Sequence, residues 1–370
     1  MTLAMRPLII ALILFTTLVS LPTIPPQKKL SAGLPESTLA PANQRIKKVL
    51  FDSDRLWMLF LDGTLVTLDL KRGATEVVAP DKFVFDIYRS SAKQVYLLGG
   101  ASPDSRLMRV WQKSAPSWSA VSEIQRDKHD AVLGLKEFRD GLLVLTQHKI
   151  YLQEDATKWR TVLIKTRLGG SDQIALAATD NGYVYIGLNH GEFGGALLQV
   201  SIDSGTVRSL VKRGKPDSCE GPLNPECDPV TGVIRDPADS SCVIASIGLR
   251  HFSESGRLIR VCNESVSVVF SKSYREIASE PQSTDDKFVD DSTEAIFDLV
   301  PGEKDYWAVT GRGVYHFAPG AEPTFHAMPK LRNISGFNLS DDISNVIVVS
   351  TDINWAKSLS GYTPLIAVKD

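Results

Sequence analysis

The residues best suited to chemistry lie in two short stretches that resemble each other. Ile186-Gly187-Leu188-Asn189-His190 and Ile247-Gly248-Leu249-Arg250-His251 each place a histidine after Ile-Gly-Leu-x, follow it with Glu192 or Glu254, and then reach a glycine. An imidazole changes charge near neutral pH and serves as a metal ligand or a general acid or base, while a nearby carboxylate orients it or takes its proton. If both faced one pocket, His190 and His251 would hold a divalent metal. The ligand-binding candidates are His190, Glu192, Arg250, His251, Glu254 and Asp228. Duplicated structural units would produce the same spacing with each histidine merely bonding a loop carbonyl.

Other chemistries lack their signatures. No Gly-x-Ser-x-Gly, His-Glu-x-x-His, phosphate-binding loop or dinucleotide fingerprint occurs in the chain. The formal net charge is -2 over 370 residues and the basic residues are scattered, so no footprint for nucleic acid is expected. The carboxylates Asp285, Asp286, Asp290 and Asp291 fit no calcium-loop spacing and read as a solvated insertion.

Four cysteines fall within one short part of the chain, Cys219, Cys227, Cys242 and Cys262. An even cluster in an exported protein reads as disulfides, with Cys219–Cys227 closing a small loop and Cys242–Cys262 joining neighbouring strands the favoured pairing among three. Export is suggested by Arg6 followed by the apolar run Leu8–Leu21, the size of a signal-peptide core and short for a membrane span. Residues 1–26 are therefore a signal peptide or an uncleaved N-terminal anchor, the only expected membrane contact. Residues 27–44 form a linker that includes a closing strand, and 45–370 form one folded unit.

The elements that must position these residues are strands. Seven times the chain writes an alternating strand, a turn and a second alternating strand, starting at Leu56, Val95, Leu142, Tyr183, Cys242, Tyr306 and Val346. The spacing of roughly 40 to 60 residues is that of a four-stranded propeller blade with loop insertions. In the first copy the strands run Ile46–Phe51, Leu56–Leu61, Thr64–Leu70 and Thr75–Ala79, with Asp62-Gly63 as a two-residue hairpin signal. The fourth runs Ile174–Ala178, Tyr183–Gly187, Leu197–Ile202 and Thr206–Val211. The seventh has only three strands before the chain stops, so Leu34–Leu39 is placed to supply the missing one.

This pattern, with blade endings such as Gly63-Thr64-Leu65-Val66-Thr67-Leu68-Asp69, resembles the broad superfamily of seven-bladed β-propellers over about residues 45 to 370. The resemblance implies an all-β, seven-bladed β-propeller of four-stranded antiparallel blades closed by an N-terminal strand; it assigns no functional family, so no catalytic residues are carried over from it. Fold alone names no function.

An antiparallel meander places the second-to-third-strand loops at the same end as the crossovers between blades. Long loops at 188–195 and 249–256 and long crossovers at 212–228 and 271–294 therefore gather at one end of blades four to six, where binding surfaces usually lie. The expected function is an exported module that binds a small molecule, a glycan or a protein there. The alternative is a metal-assisted lyase or hydrolase acting on a glycan or similar polar substrate.

Overall fold

Leu56, Trp57, Met58, Leu59 and Phe60 are all buried, so a strand with apolar residues at every position is covered on both faces. Leu56, Met58 and Phe60 pack in one core with Val49 and Phe51, whereas Trp57 and Leu59 face Val84, Ile87 and Leu97 of the next repeat. The period-2 direction of strand side chains thus divides each blade between two inter-blade cores.

The computed structural model describes residues 46–369 except 53–54, 70–71, 73, 79, 115–116, 170–173, 215–218, 251–253, 279–291, 328–333, 343–344 and 354–361, and over 334–369 only the backbone. The expected leader or anchor, the linker with Leu34–Leu39, the acidic stretch 285–291 and His251 lie outside the described residues.

The first blade is β1 (Ile46–Asp52), β2 (Arg55–Phe60), β3 (Leu65–Asp69) and β4 (Ala74–Val78). The second is β5 (Phe83–Arg89), β6 (Val95–Gly100), β7 (Leu107–Ser114) and β8 (Ser117–Gln125). The third is β9 (Val132–Phe138), β10 (Gly141–Thr146), β11 (Lys149–Gln153) and β12 (Trp159–Leu163). The fourth is β13 (Ile174–Thr179), β14 (Tyr183–Asn189), β15 (Gly195–Ser201) and β16 (Val207–Leu210). The fifth is β17 (Val230–Asp236), β18 (Asp239–Arg250), β19 (Glu254–Cys262) and β20 (Ser265–Phe270). After α1 (Tyr274–Ala278), the sixth is β21 (Ile296–Pro301), β22 (Tyr306–Thr310), β23 (Gly313–Phe317) and β24 (Thr324–Ala327).

Each blade is an antiparallel sheet in chain order, and there are six four-stranded blades rather than the seven that the repeat predicts. The last repeat is a three-stranded sheet of β25 (Ile334–Asp342), β26 (Asn345–Ile353) and β27 (Tyr362–Lys369). β27 stands at the edge of that sheet among the described residues. Each innermost strand packs on the next, and β25 lies against both β21 and β1, which closes the ring. Among the described residues no helix is long and apolar enough to cross a membrane.

Turn chemistry departs from expectation at Asp62-Gly63. Phe60 and Thr64 close the hairpin, with Phe60 N–H donating to Thr64 O at 2.9 Å and Gly63 at φ 82°. That is a three-residue turn ending in a left-handed glycine, not a two-residue one.

Bulges recur on the innermost strands, in register shifts at Ile46/Lys48, Val84/Asp86, Val230/Gly232 and Ile296/Asp298. A bulge re-aims the residue that follows it. Lys48, Asp86, Gly232 and Asp298 thereby occupy matching places near the ring axis.

Candidate functional site

Strand pairing in the fourth blade continues to Asn189↔Gly195, so the expected long loop is reduced to residues 190–194, wound as one 3-10 turn over Gly191–Phe193. His190 N–H donates to Gly194 O at 3.0 Å, and Asn189 Oδ1 accepts Gly191 N–H at 2.9 Å. Gly194 holds φ 78°, and a Cβ there would stand 2.3 Å from Pro225 O. The turn is therefore pressed against the crossover that follows the blade. His190 and Glu192 are exposed on it, and Phe193 projects with 79% of its surface free.

That crossover is built as a braced lid. Lys212 and Leu223 exchange backbone hydrogen bonds at 2.8 and 3.0 Å, Cys219 is disulfide-bonded to Cys227, and Gly195 N–H donates to Pro225 O at 2.9 Å. Asp228, a sequence candidate for ligand binding, is buried beneath it. Its Oδ2 accepts Asn224 N–H at 2.6 Å and is ion-paired with Arg257, whose Nε donates to Pro222 O at 3.0 Å. Burial pushes the Asp228 carboxyl up from the ordinary range, and the Arg257 charge and the Asn224 N–H offset only part of that. In this arrangement the carboxylate clamps the lid from below. The second disulfide joins the register partners Cys242 and Cys262, so both favoured pairings form.

In the fifth blade the expected loop 249–256 is mostly strand, with pairing through Gly248↔Gly256 to Arg250↔Glu254. Both glycines exist for close approach rather than for turning. A Cβ on Gly248 would sit 2.1 Å from Ile296 O, and one on Gly256 would sit 2.1 Å from Glu294 O. The structure brings Arg250 and Glu254 together, Nε to Oε1 at 2.9 Å. Glu254 also accepts the Tyr274 hydroxyl at 2.5 Å.

Next to them, buried Glu294 accepts Arg312 Nε at 3.0 Å and the Tyr315 hydroxyl at 2.8 Å. Burial first, and these carboxylates second, hold the Tyr274 and Tyr315 hydroxyls well above the usual phenol range, so both stay protonated donors. Sequence reasoning missed Glu294, Arg312 and Tyr315. The signal was Gly311-Arg312-Gly313, a tight turn with a cation at its apex.

Among the described residues, the only group of three potential metal ligands is Asp239, Cys242 and Cys262. Its sulfurs are tied up in the disulfide. His251, the expected partner of His190, lies outside the described residues.

A cleft of about 360 Å³ opens at the opposite end of the ring, where first and second strands turn, lined by Ser91, Glu137, Arg139, Asp140, Asp180 and Arg235. Glu137 accepts the Ser91 N–H at 2.9 Å and its hydroxyl at 3.1 Å, and Arg235 pairs with Asp180 at 2.9 Å. Arg139 begins the two-residue turn between β9 and β10 at φ 53°, a conformation that normally selects glycine. Its strain marks the rim of this cleft as a place to look for function. No feature of a single strand shows this cleft, because its walls come from four blades.

No protein-family model and no curated protein matches the chain. Among solved structures it is similar to YCF48 bound to D1 peptide, with TM-score 0.52, 10% identity, and coverage of 90% of this chain and 96% of that one. It is also similar to the β-propeller domain of Myceliophteria thermophila Cps50 (Swd1), with TM-score 0.49, 10% identity and coverage of 88% and 98%. A third neighbour is the extracellular domain of BT4673 from B. thetaiotaomicron, with TM-score 0.48, 14% identity and coverage of 89% of this chain but only 38% of that one. At these identities the likeness is one of fold: the chain is a β-propeller, and no family is assigned to it.

Proposed function

We propose that this chain is an exported binding propeller that takes a protein or peptide partner on its crossover end, across the loops of the fourth to sixth blades. The observation that carries the reading is Phe193, 79% exposed at the tip of a turn that is braced by the disulfide-closed crossover. A projecting aromatic on a rigid backbone is the usual anchor of a protein interface, since little conformational freedom is lost when a partner's pocket closes around it. Small molecules are more often held in concave sites. On the same turn His190 and Glu192 are exposed, and the Arg213–Glu226 pair stands on the crossover braced against it, a polar rim. The neighbour YCF48 is bound to a peptide, a partner class that suits such an anchor.

Export is supported by the engagement of all four cysteines in two disulfides, which persist in oxidising compartments. We also propose that Leu34–Leu39 adds the fourth strand of the seventh repeat, supported by β27 standing at the edge of its sheet among the described residues.

The partner reading is tested with the full chain, tagged and expressed in its source cells. Wild type and Val77→Asp, a control at another exposed apolar position in β4, should co-purify the same partner. Phe193→Asp should lose it without a change in melting temperature, and Phe193→Ala should weaken it roughly 30-fold, the effect of an interface anchor. Equal recovery with Phe193→Asp would refute the reading.

A further inference from the structure

The cleft opposite the crossover end is walled by four blades where their first and second strands turn, and bonds between blades brace those walls. Ser91 of the second blade gives its N–H and its hydroxyl to Glu137 of the third at 2.9 and 3.1 Å. Asp180 of the fourth pairs with Arg235 of the fifth at 2.9 Å, and its N–H donates to Ser240 O at 3.1 Å. Asn181 Nδ2 adds a bond to Ser241 O at 3.1 Å. An axial cluster ties the innermost strands behind this rim. Lys48 Nζ lies 2.8 Å from Asp86 Oδ1, Asp86 Oδ2 accepts Leu135 N–H at 2.7 Å across the blade boundary, and Lys136, the residue before Glu137, stands among Lys48, Asp86 and Asp298. A rim held in this way keeps its side chains in place before any ligand arrives.

Two opposite charges on the rim are uncommitted. Neither Arg139 nor Asp140 has a hydrogen bond or an ion pair among the described residues. The Arg139 guanidinium carbon lies 4.9 Å from the centre of the Phe138 ring, and Phe138 packs on the core between the third and fourth blades. Stacking therefore positions the guanidinium and leaves its N–H donors open. Arg139 also holds φ 53°, where glycine fits without strain. The chain keeps an arginine at a place that its backbone alone would give to glycine.

The lining indicates the class of ligand. A volume of about 360 Å³ is at the small end for a ligand site, and no apolar side chain lines it. Of its three carboxylates and two guanidiniums, one of each is taken up by the Asp180–Arg235 pair. What remains is one guanidinium fork for a carboxylate, and Asp140 with the spare lone pairs of Glu137 for an ammonium. A simple anion meets Asp140 and Glu137 as like charges, and a simple cation meets Arg139 as one. A compact zwitterion satisfies both.

We propose that this cleft binds a free α-amino acid with a short or polar side chain, its carboxylate on Arg139 and its ammonium on Asp140 and Glu137. The site is independent of the partner surface at the opposite end of the ring.

The test is a saturation-transfer NMR titration of the full chain with L-glutamine, run beside acetate and methylamine, each of which carries only one of the two charges. Glutamine should bind saturably with a dissociation constant at or below roughly 1 mM. Acetate and methylamine should bind at least about tenfold more weakly, and Arg139→Ala and Asp140→Asn should each weaken glutamine by a similar factor. Lys158→Ala, at an exposed lysine paired with Glu154, should change nothing. Arg139→Gly should lose the ligand yet melt no lower than wild type, because glycine adopts φ 53° freely; that result separates lost binding from lost folding. No saturable glutamine signal up to about 10 mM, half-ligands that bind as tightly as glutamine, or binding that survives both Arg139→Ala and Asp140→Asn would overturn the proposal.

Discussion

Replacing Arg257 with methionine should cost the fold about 3–5 kcal/mol near neutral pH, the loss expected when one member of a buried ion pair is removed. The geometry supports the upper class of effect rather than the small one typical of surface pairs. The Arg257 side chain is 13% exposed and Asp228 2%, and the guanidinium binds both Asp228 and Pro222 O. Without it, Asp228 keeps Asn224 N–H at 2.6 Å but loses its counter-charge inside a low-dielectric site.

Asp228 also gives this variant a pH signature. Its folded-state pKa is already raised by burial against the pull of Arg257, and removing Arg257 raises it further. A carboxyl with a folded pKa above its unfolded one binds protons more tightly when folded, so stability increases as pH falls through the folded pKa and decreases as pH rises through it. The gap between wild type and Arg257→Met should therefore narrow on moving from about pH 7.5 to about pH 5, by on the order of 1 kcal/mol for each unit of added shift. Urea unfolding at both pH values measures it. Asp228→Asn combined with Arg257→Met should recover much of the loss. A cost below about 1 kcal/mol, the exposed-pair value, or a loss equal at both pH values and unrelieved in the double variant, would refute the clamp.

Three further perturbations probe the ring. Gly248→Ala should destabilise by about 1–3 kcal/mol, because the new Cβ would stand 2.1 Å from Ile296 O in the next blade; Gly169→Ala, whose Cβ would meet only Leu188 Cδ1 at 3.9 Å, should be neutral in the same melts. Cys242→Ser with Cys262→Ser opens a loop of separation 20 and should cost about 3 kcal/mol by chemical denaturation. Deleting the residues before Pro41 should lower the melting temperature by several degrees if Leu34–Leu39 completes the last sheet, since a shift of about 1 kcal/mol moves a large domain by a few degrees; an unchanged melt would remove that strand from the ring.

The strands and disulfides were legible because they are written locally. Apolar alternation bounded by Asp-Asn-Gly and Asp-Ser-Gly turns marks Tyr183–Asn189 and Gly195–Ser201, and cysteines facing each other on one hairpin have little choice of partner. Gly248 and Gly256 misled, since a glycine that admits a neighbouring backbone looks the same in sequence as one that turns the chain. The seventh copy reads as three strands in the sequence and is a three-stranded sheet in the structure, so the count of four-stranded blades is six. The axial cluster and the cleft were illegible for a deeper reason. Lys48, Asp86, Lys136 and Asp298 come from four blades, and only ring closure brings them together.

The most direct test of the partner surface places a photo-crosslinking phenylalanine analogue at position 193 of the full chain in its source cells, and the same group at position 140 on the opposite end of the ring. A discrete protein or peptide adduct at 193, absent at 140, is the predicted result. An adduct at 140 alone would put the partner on the cleft end and contradict the assignment of Phe193 as the anchor.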